Sequence, residues 1–337
     1  MAAAAAAAAA VKRVVVTRAL PAATMARLTS RPDIAVTAWE AEGAMPAAAL
    51  GAAVAAGGGA AGVVCMLTDA IDAALLDASP ALRVVSTMSV GYNHIDVAAC
   101  KARGVSVGYT PGILTDATAD LVVALLLATA RRLPEAWSAV KSGEWSSWSL
   151  FWMAGKAVAG ATVGIVGAGR IGSAVGRRLR GFGCPILYTG ASGRKPELEA
   201  ELGGGATYAP LDDLLAASDF VVVLCSLSPA TRGLFNRDRL LRMKPDAVLI
   251  NASRGEVVVQ DDLVAVLRER PTFAAGLDVT TPEPLPTDSP LLTLPNAVVL
   301  PHIGSSTTAC RTEMADMAVR NVLAALDTGT PLLAVPL

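Results

Sequence analysis

The sequence predicts an α/β protein built from two doubly wound parallel sheets, and three observations carry that prediction. Short β-branched runs alternate with helical stretches along the chain, which is the rhythm of βαβ units. The alternation comes as two series separated by one long apolar stretch, residues 115–131. At 337 residues the chain also exceeds the usual size of one hydrophobic core, so two domains are expected.

In the first series, Val11–Thr17, Ile34–Thr37, Gly62–Leu67, Val84–Thr87 and Val105–Gly108 read as strands. Ile71–Ala78 and Val97–Arg103 read as intervening helices. Gly43–Leu67 carries no charge but is mostly Ala and Gly, broken by Pro46 and Gly57-Gly58-Gly59, so a helix, a loop and a buried strand are expected rather than a membrane span. Thr115–Arg131 reads as a long helix, with Thr115 able to cap it and Pro134 stopping its far end, and could connect two domains. A Trp-bearing segment, Trp145–Met153, follows. The second series has six strands: Thr162–Val166, Ile186–Thr189, Phe220–Cys225, Ala247–Asn251, Ala274–Asp278 and Ala297–Leu300. A final helix is expected over about Thr307–Leu326.

A net charge of -1 with dispersed Lys and Arg gives no basic stripe for nucleic acid or an anionic membrane, so a small-molecule partner is expected. Five scattered cysteines without a C-x-x-C pair predict neither a disulfide framework nor a metal site, and suit a reducing compartment. Met1 and Ala2–Ala10 read as a frayed, disordered extension; Lys12 and Arg13 follow the apolar run rather than precede it, unlike a secretory signal, with organelle targeting as the other reading. The C-terminal AVPL is no peroxisomal tripeptide, and a cytoplasmic protein is expected.

The segment TVGIVGAGRIG, residues 162–172, carries the strongest signal. Gly167, Gly169 and Gly172 form G-x-G-x-x-G after a buried strand and before the helix Ile171–Leu179. The first glycine allows the tight turn, the second lets backbone approach a pyrophosphate, and the third lets helix and strand pack closely. Arg170 and Ile171 would flank a diphosphate held at the helix N-terminus of this Rossmann turn. The ribose-binding acid expected at the end of the next strand is absent from LYTGASGRK, residues 187–195, whereas Ser192, Arg194 and Lys195 follow at once. Cations and a hydroxyl there suit a 2′-phosphate, which predicts NADPH as preferred cofactor with NADH possible. A solvated Arg/Lys loop with mixed preference is the alternative.

Hydride transfer to a carbonyl carbon needs a proton for the oxygen and a cation for the substrate. His302, in LPHIGSST, follows the last strand at its carboxyl end, where open α/β sheets bind ligands. His94, in SVGYNHID, precedes a helix and reads as structural. Arg254 follows the strand in VLINASRGEVV, and Glu283 lies in the Pro-bracketed loop of GLDVTTPEPLP. Guanidinium, carboxylate and imidazole thus leave three consecutive strand ends.

These segments, with STMSVGYNHID, GYTPGILTDATAD and RRLPEAW, resemble the NAD(P)-dependent D-isomer-specific 2-hydroxyacid dehydrogenases. Within that family the chain is most similar to the glyoxylate/hydroxypyruvate reductases of animals. The resemblance implies reduction of glyoxylate and hydroxypyruvate, with Arg254 binding the substrate carboxylate and carbonyl oxygen and His302 donating the proton. Glu283 would hydrogen-bond His302 and raise its pKa. Backbone N–H groups of Val90 and Gly91 would hold the carboxylate. Thr115 would lie near the nicotinamide, Leu224, Cys225 and Ser226 along the adenosine, and Asp278 on the carboxamide; Gly304, beside His302, completes the cofactor set. It further implies a discontinuous substrate domain, residues 1–111 and 303–337, and a cofactor domain, residues 112–302, flanking a cleft. A homodimer is implied, with an arm near residues 133–153, from which a tryptophan such as Trp148 would reach the partner's substrate pocket; an intrachain Trp-rich loop is the alternative. Asn93 and Thr281 stand where many relatives have acids. Another 2-hydroxy acid, such as phosphoglycerate, or a non-enzymatic dinucleotide-sensing corepressor are the competing functions.

Overall fold

The computed structural model describes residues 11–336, so the expected frayed extension, residues 1–10, lies outside the described residues. The chain forms two compact units, Met1–Leu114 with Thr307–Leu337, and Thr115–Ser306. In the first, β1 (Lys12–Val16), β2 (Ile34–Ala38), β3 (Gly62–Cys65), β4 (Val84–Thr87) and β5 (Ser106–Gly108) form a parallel sheet in the order β2-β1-β3-β4-β5. Val14, Val15 and Val16 are completely buried, as expected of a parallel strand covered on both faces. Side-chain alternation divides the layers: Val15, Val63 and Val85 enter one core, while Val14, Val16, Val64 and Val84 enter the other.

The helix Thr308–Thr328 covers that second face through Ala318, Val319, Val322 and Ala325, spaced three and four apart along one stripe. Thr307 caps it by accepting the N–H of Cys310 at 3.2 Å. The uncharged stretch forms the short helix Ala47–Ala55, which ends in Gly57, Gly58 and Gly59, all at positive φ. Among the described residues no helix is long and apolar enough to cross a membrane.

The second unit holds β6 (Val163–Val166), β7 (Ile186–Thr189), β8 (Ala206–Tyr208), β9 (Phe220–Val223), β10 (Val248–Asn251), β11 (Ala274–Leu277) and β12 (Ala297–Val299). All pair in parallel, in the order β12-β11-β10-β9-β6-β7-β8. Seven strands replace the expected six. The addition, β8, is a three-residue edge strand with only Ala206 buried, too short to show a period. Pro134 also acts differently from expectation. The long helix ends at Ala130, Arg132 turns to φ 52°, and Pro134 occupies the first turn of another helix, Leu133–Ser142. Thr115 is the first residue of the long helix rather than its flanking cap.

This sheet order reverses direction between β6 and β9, the switch point at which open α/β sheets bind ligands beyond the carboxyl ends. Consecutive neighbours β10, β11 and β12 bring their carboxyl ends to the same edge.

Candidate active site

Asn251, the buried last residue of β10, organises the turn that carries Arg254. Its side-chain oxygen accepts from the Ser253 N–H at 3.1 Å and hydroxyl at 2.8 Å, while its amide donates to the Arg254 carbonyl at 3.0 Å. A Cβ on Gly255 would lie 1.9 Å from the Thr280 carbonyl oxygen, so only glycine lets the loops after β10 and β11 touch. Arg254 is partly buried, and burial pushes its pKa down, opposed by the nearby carboxylates of Glu283 and Glu256. Its guanidinium donates only from Nη1 to the Ser253 carbonyl, at 2.6 Å. The other N–H donors have no acceptor among the described residues.

Glu283 sits between Pro282 and Pro284, each preceded by a cis peptide bond. Its Oε1 accepts the Thr280 N–H at 3.0 Å and its Oε2 meets His302 Nδ1 at 2.8 Å. Burial pushes the Glu283 pKa up, but the His302 hydrogen bond and charge, with the Thr280 N–H, leave it below the ordinary carboxylate value. A carboxylate depressed in the folded state adds stability above its unfolded pKa. That contribution disappears as pH falls through the lower folded value.

His302 itself adopts φ 54°, in the left-handed region. Its N–H donates to the Asp278 carbonyl at 2.9 Å. The buried Asp278 carboxylate then accepts from the N–H of Ile303 at 2.7 Å and of Gly304 at 2.9 Å. Asp278 and Gly304, both expected to contact cofactor, are thus joined to each other and hold the backbone that aims His302. Burial raises the Asp278 pKa against those two N–H donors and the neighbouring His302. With Nδ1 engaged by Glu283, Nε2 is the ring nitrogen left to face a substrate.

The dinucleotide turn lies at the switch point. Gly167 has φ 103°, and a Cβ there would fall 2.4 Å from the Cys225 backbone nitrogen. A Cβ on Gly172 would meet the Gly167 carbonyl at 2.4 Å, whereas Gly169 faces open space. Above the turn begins the helix Arg170–Arg180, with exposed Arg170 and half-buried Ile171 in its first turn, where helix N–H groups lack partners. Close-packed glycines below, open space above and free N–H groups fit a dinucleotide diphosphate. Along the same edge lie half-buried Cys225, its thiol pushed up to about 11 by burial, and exposed Ser226. Thr115, half-buried, opens the long helix of this unit.

After β7, Ser192 and Arg194 are exposed, and Lys195 Nζ donates to the Ala168 carbonyl of the glycine turn at 2.7 Å. Arg194 is not free: it pairs with Glu199, an acid that sequence reading passed over because it lies on the following helix rather than at the strand end. In the other unit His94 bonds the Thr87 hydroxyl at 3.0 Å, in keeping with a structural histidine. The N–H groups of Val90 and Gly91, just past β4, have no acceptor among the described residues. Trp148 is 80% exposed. No group of His, Cys, Asp and Glu among the described residues could hold a metal ion.

Residues 123–304 match the family model of the D-isomer specific 2-hydroxyacid dehydrogenase NAD binding domain. The chain is 51% identical to human glyoxylate reductase/hydroxypyruvate reductase over 316 residues, 93% of this chain and 94% of that one. A Thermus thermophilus protein of known structure superposes with a TM-score of 0.88 at 40% identity, covering 96% of this chain and all of the other. The Sinorhizobium meliloti NADPH-dependent glyoxylate/hydroxypyruvate reductase, solved with NADP and malonate, gives a TM-score of 0.83 at 33% identity, over 97% of each chain. With the glycine turn at the switch point and the Arg, Glu and His groups on neighbouring strand ends, these likenesses establish that the chain belongs to the D-isomer specific 2-hydroxyacid dehydrogenases, a family of NAD(P)-dependent oxidoreductases.

Proposed function

We propose that this chain reduces glyoxylate to glycolate and hydroxypyruvate to D-glycerate, with NADPH preferred over NADH. The carrying observation is the partly buried Arg254 guanidinium, most of its donors without a protein acceptor among the described residues, on the strand end beside the Glu283–His302 pair. A small 2-keto acid offers the complement, a carboxylate and an adjacent carbonyl oxygen for a forked donor. The names of the human and Sinorhizobium relatives support this substrate class, and the NADP-bound relative supports the cofactor. When bound, the reduced dinucleotide supplies a hydride to the carbonyl carbon.

Arg254 holds the substrate carboxylate and carbonyl oxygen, and Nε2 of His302 delivers a proton to that oxygen. Glu283 keeps the ring oriented and balances the imidazolium before transfer. Val90 and Gly91, in the unit we read as the substrate domain, offer N–H groups to the carboxylate; the unit Thr115–Ser306 is the cofactor domain. The test is kcat/KM for glyoxylate, hydroxypyruvate and 3-phosphohydroxypyruvate with each reduced cofactor. The expected result is turnover of the first two, faster with NADPH. Preference for the phosphorylated acid, or for NADH, would overturn the corresponding part.

We further propose a homodimer formed through the arm near residues 133–153. Its support is eight of the fifteen large exposed apolar side chains of the described chain, among them Trp137, Trp145, Trp148, Leu150, Phe151 and Trp152. So dense an aromatic surface is characteristic of interfaces. Trp148 would then serve the partner's substrate pocket. Light scattering should give twice the chain mass, and Phe151→Glu should give the monomer; a monomeric parent protein rejects the interface. Five free thiols support a reducing, cytoplasmic setting.

A further inference from the structure

Beyond β7 lies a polar network that the catalytic scheme does not use. Tyr188 is fully buried, its ring edge-on to Tyr208 at 5.7 Å, and its hydroxyl is the hub. That oxygen accepts the Lys195 N–H at 2.6 Å and donates to Glu199 Oε1 at 2.9 Å. Glu199 in turn takes three contacts from Arg194: Nε to Oε1 at 3.0 Å, Nε to Oε2 at 3.1 Å and Nη2 to Oε2 at 2.7 Å. The side chains are unequal in freedom, with Glu199 16% exposed and Arg194 69%. Glu199 is therefore the fixed partner, moored by a buried tyrosine, and Arg194 the mobile one. The network adjoins the glycine turn, because Lys195 Nζ bonds the Ala168 carbonyl.

We infer that Glu199 is a specificity-determining residue that restrains binding of a 2′-phosphate by holding Arg194 and neutralising it. This rests on the cofactor reading above. An incoming phosphate meets a guanidinium whose best donor edge is already committed, with a fixed carboxylate a few ångströms behind it. It must draw Arg194 away or bind against the repulsion of Glu199, so only Ser192 and Lys195 are unopposed. The pair thus moderates NADPH preference and keeps NADH usable. Glu199 acts through Arg194 and is a positioning residue. The pKa shifts agree: the Arg194 hydrogen bond lowers Glu199, and Glu199 raises Arg194.

The inference is tested by calorimetric titration of the full-length protein with 2′,5′-ADP and 5′-AMP. Glu199→Gln keeps an acceptor for Tyr188 and removes the charge. It should tighten 2′,5′-ADP by roughly tenfold and leave 5′-AMP within about twofold, as expected for one like charge at close range. The gain should shrink when Arg194→Gln is added, because the two side chains act as one unit. Arg194→Gln alone should weaken 2′,5′-ADP by about three- to tenfold, since it removes a donor already committed to Glu199 and leaves that carboxylate unneutralised near the phosphate. An unchanged or weaker 2′,5′-ADP affinity in Glu199→Gln overturns the inference, as does an equal gain for 5′-AMP or a hundredfold loss in Arg194→Gln. If the parent protein prefers 5′-AMP, the NADPH reading fails, while the direction of the Glu199→Gln change still judges Glu199.

Discussion

Replacing His302 with alanine should lower kcat for glyoxylate reduction by roughly 10²–10⁴-fold, the usual worth of a positioned general acid. NADPH affinity should stay within about twofold, because the histidine ring is dispensable for the loop that carries it. That loop is held by backbone bonds, from the His302 N–H to the Asp278 carbonyl and from the Ile303 and Gly304 N–H groups to the Asp278 carboxylate. None of them involves the imidazole. Glu283→Gln supplies the comparison, since the amide oxygen can still accept from Nδ1, giving up the Thr280 N–H, but carries no charge to balance an imidazolium. It should cost less than His302→Ala. The measurement is steady-state kinetics with saturating substrate beside a direct binding titration of NADPH. A near-normal kcat in His302→Ala removes the histidine from proton transfer; a lost NADPH affinity with intact kcat makes it a scaffold residue.

Strands were legible wherever burial is two-sided. Val14–Val16, Val163–Val166 and Phe220–Val223 are continuous apolar runs because helices cover both faces of each sheet. Edge strand β8 lacks that cover, and Pro134 suits the first turn of a helix as well as the end of one, so local chemistry could not decide either. The three strand-end groups were readable for a related reason. Arg254 and His302 each lie within three residues of an apolar strand, so locating the strand locates the group.

What escaped sequence reading was partnership across the chain. Glu199 stands eleven residues beyond Tyr188 on another element, and no period links the two. Asp278 could be placed at a strand end, but not that both of its oxygens accept from N–H groups 25 and 26 residues away. Such contacts follow from how loops close over a sheet edge.

Arg254→Met should separate binding from stability. Burial pushes the Arg254 pKa down, so the fold disfavours this cation relative to solvent, and only one of its donors is satisfied among the described residues. Replacing a desolvated, under-paired charge by an apolar side chain of similar length is commonly neutral or stabilising. The melting temperature of the unliganded variant should therefore be unchanged or higher. Activity should move oppositely: losing one member of a desolvated charge pair costs about 2–5 kcal/mol, so kcat/KM for glyoxylate should fall by roughly 30- to 5,000-fold. Arg254→Lys should recover little, because an ammonium on a shorter donor set cannot span carboxylate and carbonyl oxygen together. Thermal unfolding and initial-rate kinetics on the same preparations decide the matter. If Arg254→Met keeps kcat/KM within about tenfold, the guanidinium does not bind substrate. If instead the protein melts several degrees lower with its activity per folded molecule intact, Arg254 is a structural residue, and its remaining donors have another acceptor in solution.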